Sequence, residues 1–241
     1  MNAIKIKNLT KRYKNIVAVD NLSLNIFTGE LFALLGVNGA GKTTTIKMLS
    51  CLTEPTDGDA YLLDKSIRTE SAQVKSLIAV SPQETAIAPG LCVRENLELI
   101  CGVHGFSKEK QRVKINEISK LLGLECILTR KAGKLSGGWQ RRLSIAMALI
   151  SEPKILFLDE PTLGLDVIAR SELWNIIRSI KGKITIVLTT HYMEEAENLS
   201  DRVAIMKDGK LLICDSAENI KKSTGEQNFE QAFIKVVTGV N

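Results

Sequence analysis

The stretch Gly36-Val37-Asn38-Gly39-Ala40-Gly41-Lys42-Thr43 follows the apolar run Leu31-Phe32-Ala33-Leu34-Leu35 and leads into Thr44-Thr45-Ile46-Lys47-Met48-Leu49. It satisfies every fixed position of the pattern G-x-x-x-x-G-K-[ST], in the strand-loop-helix setting which that pattern requires. Glycines let the loop curl so that successive backbone N–H groups, and the positive end of the next helix, converge on phosphate oxygens. Lys42 adds a mobile charge for the outer phosphates, and the Thr43 hydroxyl is placed to coordinate Mg²⁺. A glycine-rich turn without a ligand is the plain alternative. The fit of both flanks argues against it.

Upstream, residues 4–9 alternate, residues 17–19 are short and partly β-branched, and residues 22–26 alternate again before Thr28-Gly29. These predict an antiparallel sheet. The continuous apolar run of residues 31–35 predicts a strand buried on both faces. Downstream, the loop's helix should end near the turn Glu54-Pro55-Thr56-Asp57-Gly58, with strands at residues 59–63 and 77–80. From residue 93 to about 122 the period becomes helical: Leu97, Ile100, Cys101 and His104 form one stripe, which Ile118, Leu121 and Leu122 repeat. A further helix should start at Ser136, bury Leu143, Ala146, Met147 and Ile150, and stop at Pro153. Strand and helix then alternate: strands at residues 155–158, 184–189 and 203–206, helices at residues 167–180 and 193–199. Such alternation implies a parallel sheet with crossover helices. A hairpin around Asp208-Gly209 and an amphipathic helix on Phe229, Ala232, Phe233 and Val236 complete the chain. The expected fold is α/β: a phosphate-loop core with a mixed or parallel sheet, an N-terminal antiparallel β subdomain and a helical insert. One domain is expected over residues 1–215, with the helical subdomain at about 85–152 and a short helical tail over 216–241.

Two further segments carry chemistry. The strand Ile155-Leu156-Phe157-Leu158 ends in Asp159-Glu160-Pro161. At the carboxyl end of a buried strand beside the phosphate loop, Asp159 can hold the Mg²⁺ shell and Glu160 can polarise an attacking water. Alone, such a pair also serves as a helix cap or turn; the phosphate loop changes that balance. Leu135-Ser136-Gly137-Gly138-Trp139-Gln140-Arg141-Arg142 offers a second helix start with exposed N–H groups, Ser136 being the expected N-cap.

The 241 residues suffice for one large domain or two modest ones. With 44% hydrophobic and 24% charged residues the composition is that of a globular protein. The net charge of +5 is spread out, with short clusters such as Lys11-Arg12, and predicts a solvated face, while a basic face near anionic lipid or nucleic acid stays open. Five cysteines without a C-x-x-C pair fit reduced thiols in the cytosol. Neither a signal peptide nor a membrane-spanning run of about 18 to 20 apolar residues is expected. Work at a membrane would need a partner.

The order of phosphate loop, Leu135-Ser136-Gly137-Gly138, Asp159-Glu160, Gly164-Leu165-Asp166 and Thr190-His191 resembles the nucleotide-binding subunit of an ABC transporter, over residues 3 to 215. The resemblance implies two ATPase subunits, identical or different, paired head to tail. Each ATP would lie between Gly36, Asn38, Gly39, Ala40, Gly41, Lys42, Thr43 and Thr44 of one subunit and Ser136, Gly137 and Gly138 of the other. It further implies that Tyr13 stacks on adenine and that Gln83 joins Thr43 and Asp159 around Mg²⁺ and senses the γ-phosphate. Glu160 and His191 would be catalytic, and Asp166 would couple the two sites. An integral membrane permease is the implied partner, with the subunit cytoplasmic and peripheral at the inner face of the cell membrane.

One position departs from the family pattern: Trp139 stands where glutamine is usual, and Gln140 follows it. Activity is expected to survive, with an effect on dimer packing or on coupling. The wording of the motifs and the short tail are similar to ATPases of type-2 exporters, which serve drugs, antibiotics, ions, lipids or polysaccharides. An exporter is therefore expected ahead of an importer. A DNA-repair or chromosome ATPase would need a long heptad insert, and a translation-associated ATPase would carry two cassettes, so no nucleic-acid partner is expected. A catalytically silent subunit is disfavoured because Glu160 and His191 are both present.

Overall fold

The computed structural model describes residues 1–239. Strands β1 (Asn2–Tyr13) and β2 (Ile16–Phe27) pair antiparallel, as the alternation of their side chains predicts. β2 is one strand where two were expected; Asn21, at φ 52°, absorbs the irregularity that the polar Asp20-Asn21 step announces. Next come β3 (Leu31–Leu35), buried at every position, and α1 (Lys42–Leu49). β4 (Asp57–Leu62) and β5 (Lys65–Ser66) complete a four-stranded sheet in the order β2-β1-β4-β5.

The chain continues through α2 (Ser71–Leu77), β6 (Ile78–Ser81), α3 (Val93–Val103), α4 (Lys108–Leu122) and α5 (Gly137–Ile150). The predicted helical stretch is thus two helices, broken at Gly105 (φ 67°). His104, expected on the buried stripe, is instead the exposed C-cap of α3, because the stripe ends with that helix. Then follow β7 (Ile155–Asp159), α6 (Val167–Ile180), β8 (Thr185–Thr190), α7 (Met193–Leu199), β9 (Arg202–Lys207), β10 (Lys210–Asp215), α8 (Ala217–Thr224) and α9 (Phe229–Thr238). Residues 240–241, the end of the tail expected over 216–241, lie outside the described residues.

The second sheet runs β10-β9-β3-β8-β7-β6, with parallel neighbours except for the β9–β10 hairpin. Its two faces bury separate cores. Leu31, Ala33 and Leu35 of β3 share one core with the helices α3 to α9, whereas Phe32 and Leu34 share the other with α1 and the four-stranded sheet. The α/β fold with an antiparallel N-terminal sheet and helices inserted between β6 and β7 is therefore as predicted. Arg202 of β9 links the two sheets: Nε is 2.7 Å from Glu30 Oε1, and Nη2 donates to Asn25 O at 2.7 Å. The Glu30 carboxylate holds the Arg202 guanidinium above its ordinary pKa. Parallel strands place their carboxyl ends together, and β3, β7 and β8 end at Leu35, Asp159 and Thr190 on one edge.

Candidate functional site

At the end of β3 the backbone turns through residues 36–41 into α1. Gly39 and Gly41 adopt φ of 84° and 98°, a region open to glycine. A Cβ on Gly41 would lie 2.4 Å from Ala18 O, and one on Gly36 2.4 Å from Met206 O. The loop is therefore pressed between β2 and β9 with no room for side chains at its two ends. Gly41 also occupies the N-cap of α1 without a capping side chain, so the first amides of the helix are left for another acceptor. The Lys42 side chain is buried at 6% exposure and donates from Nζ to Gly36 O (2.7 Å) and Val37 O (3.3 Å).

β7 and β8 lie in register, Asp159 against Thr189, which brings two carboxylates to the loop. Asp159 Oδ1 accepts from Thr43 Oγ1 at 3.1 Å and from Thr189 Oγ1 at 2.5 Å. Glu160 has a φ of 49°, unusual for a non-glycine residue, and its N–H donates to Thr189 Oγ1 (3.0 Å). Its side chain is 8% exposed, with Oε1 3.5 Å from Lys42 Nζ and Oε2 2.6 Å from His191 Nδ1. A carboxylate fixed between a lysine and a histidine, at the mouth of a set of free amides, suits proton abstraction beside an anion.

These groups open onto a cleft of about 770 Å³. Tyr13, Asn38, Gly39, Ala40, Gly41, Lys42, Thr43, Thr44, Gln83, Glu160 and His191 line it, so eleven of the residues singled out in the sequence share one cavity. Gly36 lines a smaller adjoining cavity with Val37, Met193 and Phe233, and Asp159 lies beneath Thr43. Ser136, Gly137, Gly138 and Asp166 do not line the cleft. Ser136 takes the N-cap position of α5, but its side chain makes no capping hydrogen bond, contrary to the expected role. With the hydroxyl uncommitted, the three residues present a helix start whose amides are not closed off. Asp166 caps α6 through Ala169 N–H at 2.9 Å.

Several residues became visible only in three dimensions. Ile16, Val17, Ala18, Leu163 and Asp208 also line the cleft, brought there by the β1–β2 turn, the segment after β7 and the β9–β10 turn. Thr189 braces the Asp159 carboxylate and the Glu160 backbone. Arg141, buried in α5, donates to Pro82 O and Gln83 O, each at 2.6 Å, and so sets the backbone of the Gln83 loop. Burial pushes its guanidinium down from the ordinary value, against the pull of Asp159. The only sequence signal was an arginine inside an apolar helix.

Trp139 is half-buried, with the Arg142 guanidinium 4.6 Å from its ring centre, and Arg142 pairs with Glu172 of α6. A Cβ on Gly138 would stand 3.0 Å from Ala169 Cβ, so the start of α5 abuts the start of α6. Trp139 therefore braces the 136–138 segment against the helix that follows Asp166. A double-mutant cycle on Trp139→Ala and Arg142→Ala, read by urea unfolding, should give a coupling of about 0.5–1 kcal/mol. Zero coupling would show that ring and guanidinium are neighbours only.

A family model described as ABC transporter matches residues 19–163. The chain is 36% identical over 240 residues to the probable multidrug ABC transporter ATP-binding protein YbhF of Escherichia coli (strain K12), covering 97% of this chain and 41% of that protein. It is 41% identical over 209 residues to the Nod factor export ATP-binding protein I of Burkholderia orbicola (strain AU 1054), covering 86% of this chain and 68% of that one. It spans only 13% of the human phospholipid-transporting ATPase ABCA3, at 41% identity. Among solved structures it is similar to the ATP-binding cassette MJ0796, a dimer in a post-hydrolysis state with ADP and Pi. The TM-score is 0.80 at 30% identity, over 88% of this chain and 98% of the other.

Proposed function

Because the chain belongs to the ABC transporter family of ATP-binding domains, we propose that it binds and hydrolyses ATP in the cleft between residues 36–44 and the ends of β7 and β8. The observation that carries this reading is the convergence of Lys42, Glu160 and His191 on one another beside the open amides of α1. Tyr13 at the cleft rim offers a face for the adenine, and the amides of residues 38–44 with Lys42 take the phosphates. Thr43, Asp159 and Gln83 would hold Mg²⁺. The hydroxyl and the carboxylate already converge at 3.1 Å, Gln83 borders the same cleft, and all three are the hard oxygen donors this ion prefers. The ion supplies neutralisation of phosphate charge. Glu160 takes the proton of the attacking water, and His191, bonded to it, fixes its direction at the γ-phosphate.

The 136–138 segment lies outside this cleft, so a second cassette supplies it. The likeness to a cassette solved as a dimer supports that arrangement. No helix among the described residues is long and apolar enough to cross a membrane. The membrane-spanning part would be supplied by permease subunits, which would hold the protein at the inner face of the membrane. The likeness to a Nod factor export ATP-binding protein supports export rather than import.

The test is nucleotide titration of the purified chain. ATP should bind one per chain and be released as ADP and phosphate. Tyr13→Leu should weaken ATP binding about fivefold to tenfold, roughly 1–1.4 kcal/mol, through loss of the stacking face. A chain that binds no ATP overturns the reading, and full affinity in Tyr13→Leu removes Tyr13 from the site.

A further inference from the structure

Glu195 of α7 is fully buried and belongs to none of the roles assigned above. Its Oε1 accepts from Trp174 Nε1 of α6 at 3.1 Å. The hydroxyls of Thr190 and Thr162 lie beside the same carboxyl. These two threonines occupy telling positions: Thr190 closes β8 directly before His191, and Thr162 follows Glu160 by two residues. Thr162 Oγ1 and Glu195 Oε2 are both buried, and neither has a hydrogen-bond partner. Buried polar atoms are nearly always paired, so two adjacent orphans on the segments that carry Glu160 and His191 need an explanation.

We propose that Glu195 is a positioning residue for Glu160 and His191, an acid that ties the ends of β7 and β8 to α6 through Thr162, Thr190 and Trp174. The inference rests on the reading of Glu160 and His191 given above. Geometry provides the first argument. A single carboxyl reaches the indole of α6, the residue before His191 and the turn after Glu160. α7 begins two residues after His191, so an anchored Glu195 also anchors the segment that leads out of that histidine.

The second argument concerns what the carboxyl presents to its neighbours. Burial pushes Glu195 above the ordinary carboxylate range, and the nearby Glu160 charge adds to this, although Thr190, Thr162 and Trp174 pull the other way. A neutral acid accepts from Trp174 through one oxygen and can donate through the other, which gives Thr162 Oγ1 the partner it lacks. Glutamine has the same acceptor and donor pair, whereas leucine has neither.

Steady-state ATP hydrolysis of the purified chain tests this with Glu195→Leu, Glu195→Gln, Thr162→Val and Trp174→Phe, alongside Glu160→Gln. Supporting groups of this kind typically change activity about 10- to 100-fold. Glu195→Leu should therefore lose kcat by about that factor, with KM for ATP nearly unchanged. Glu195→Gln should keep at least about a third of the wild-type kcat, since it restores both bonds. Wild-type kcat in Glu195→Leu overturns the proposal, and so does a Glu195→Gln enzyme as slow as Glu195→Leu. If Glu195→Leu does not fold, Thr162→Val and Trp174→Phe decide, because each removes one partner, the first with nearly the same shape and the second with an aromatic ring retained over a small cavity. A several-fold loss of kcat at constant KM in either supports the role, and unchanged kcat in both overturns it. Normal turnover in Glu160→Gln would defeat the underlying assignment, whereas a dead Glu160→Gln beside a fully active Glu195→Leu defeats only this one.

Discussion

Glu160→Gln is expected to keep ATP affinity within about threefold of wild type while turnover falls at least about a hundredfold, the span of general-base catalysis. The substitution conserves shape in a site where shape is tightly held. Glu160 is 7% exposed, its φ of 49° is anchored by Thr189, and a glutamine oxygen can still face His191. What disappears is the capacity to accept a proton. Ground-state binding should hardly suffer, because the lost negative charge lies near the phosphates and Lys42 keeps its carbonyl partners on Gly36 and Val37. An enzyme that binds without turning over should also accumulate as the ATP-bridged dimer. Phosphate release and analytical ultracentrifugation with ATP check both halves, and normal turnover would remove Glu160 from the mechanism.

The second large effect is expected for Gly137→Asp. Gly137 opens α5, is exposed, and would place a Cβ only 3.9 Å from the end of Leu165, which is ordinary contact. An acidic residue in the first turn of a helix is favourable for the isolated chain, so folding and the cleft of residues 36–44 should be untouched. In the proposed dimer, however, the new carboxylate would face the γ-phosphate held by the other subunit, and like charges at close range repel strongly. ATP should bind to the monomer with wild-type affinity, no dimer should appear, and hydrolysis should fall to a few per cent or less, the loss of about 2 kcal/mol or more of transition-state stabilisation. Wild-type turnover would show that residues 136–138 take no part in the neighbouring site.

The contrast between these two positions reflects what could be read from the chain alone. Helices α6 and α7 and strand β3 fall where their patterns place them, because a strong stripe or an unbroken apolar run leaves one interpretation. Helix α2 was not legible: Val74 is its one buried residue, so no stripe exists to be seen. Helix α8, which buries only Ala217 and Ile220, is announced mainly by its Ser216 cap and Gly225 stop. In α5 the expected single face is exceeded, since Arg141, Ser144, Ile145, Ala148 and Leu149 are buried as well. The helix is enclosed by α3, α4, α6 and β6, and no periodicity records such enclosure. In the site, the loop, the carboxylates and His191 were legible as local patterns at strand ends. Thr189, Arg141 and Glu195 were not, because each acts on a partner far away in sequence or hidden by the fold.

The sheet order has a consequence for biogenesis. β3, which carries the phosphate loop, is flanked by β8 and β9, and the nearer of these in sequence begins about 150 residues later. At ribosomal rates of about 5–20 residues per second, the loop waits roughly 8–30 s for the strands that shape it. Until β9 emerges there is no Met206 carbonyl against Gly36, so nascent or truncated chains lack the constraint that curls the loop. Such a chain has its complete phosphate-binding motif within the first 45 residues and is still expected not to hold ATP, because only the Ala18 side of the loop's packing is in place. Nucleotide therefore favours only the finished fold and gives no help to an unfinished one. Ribosome-bound chains stalled before residue 202 should expose the motif to protease whether or not ATP is present.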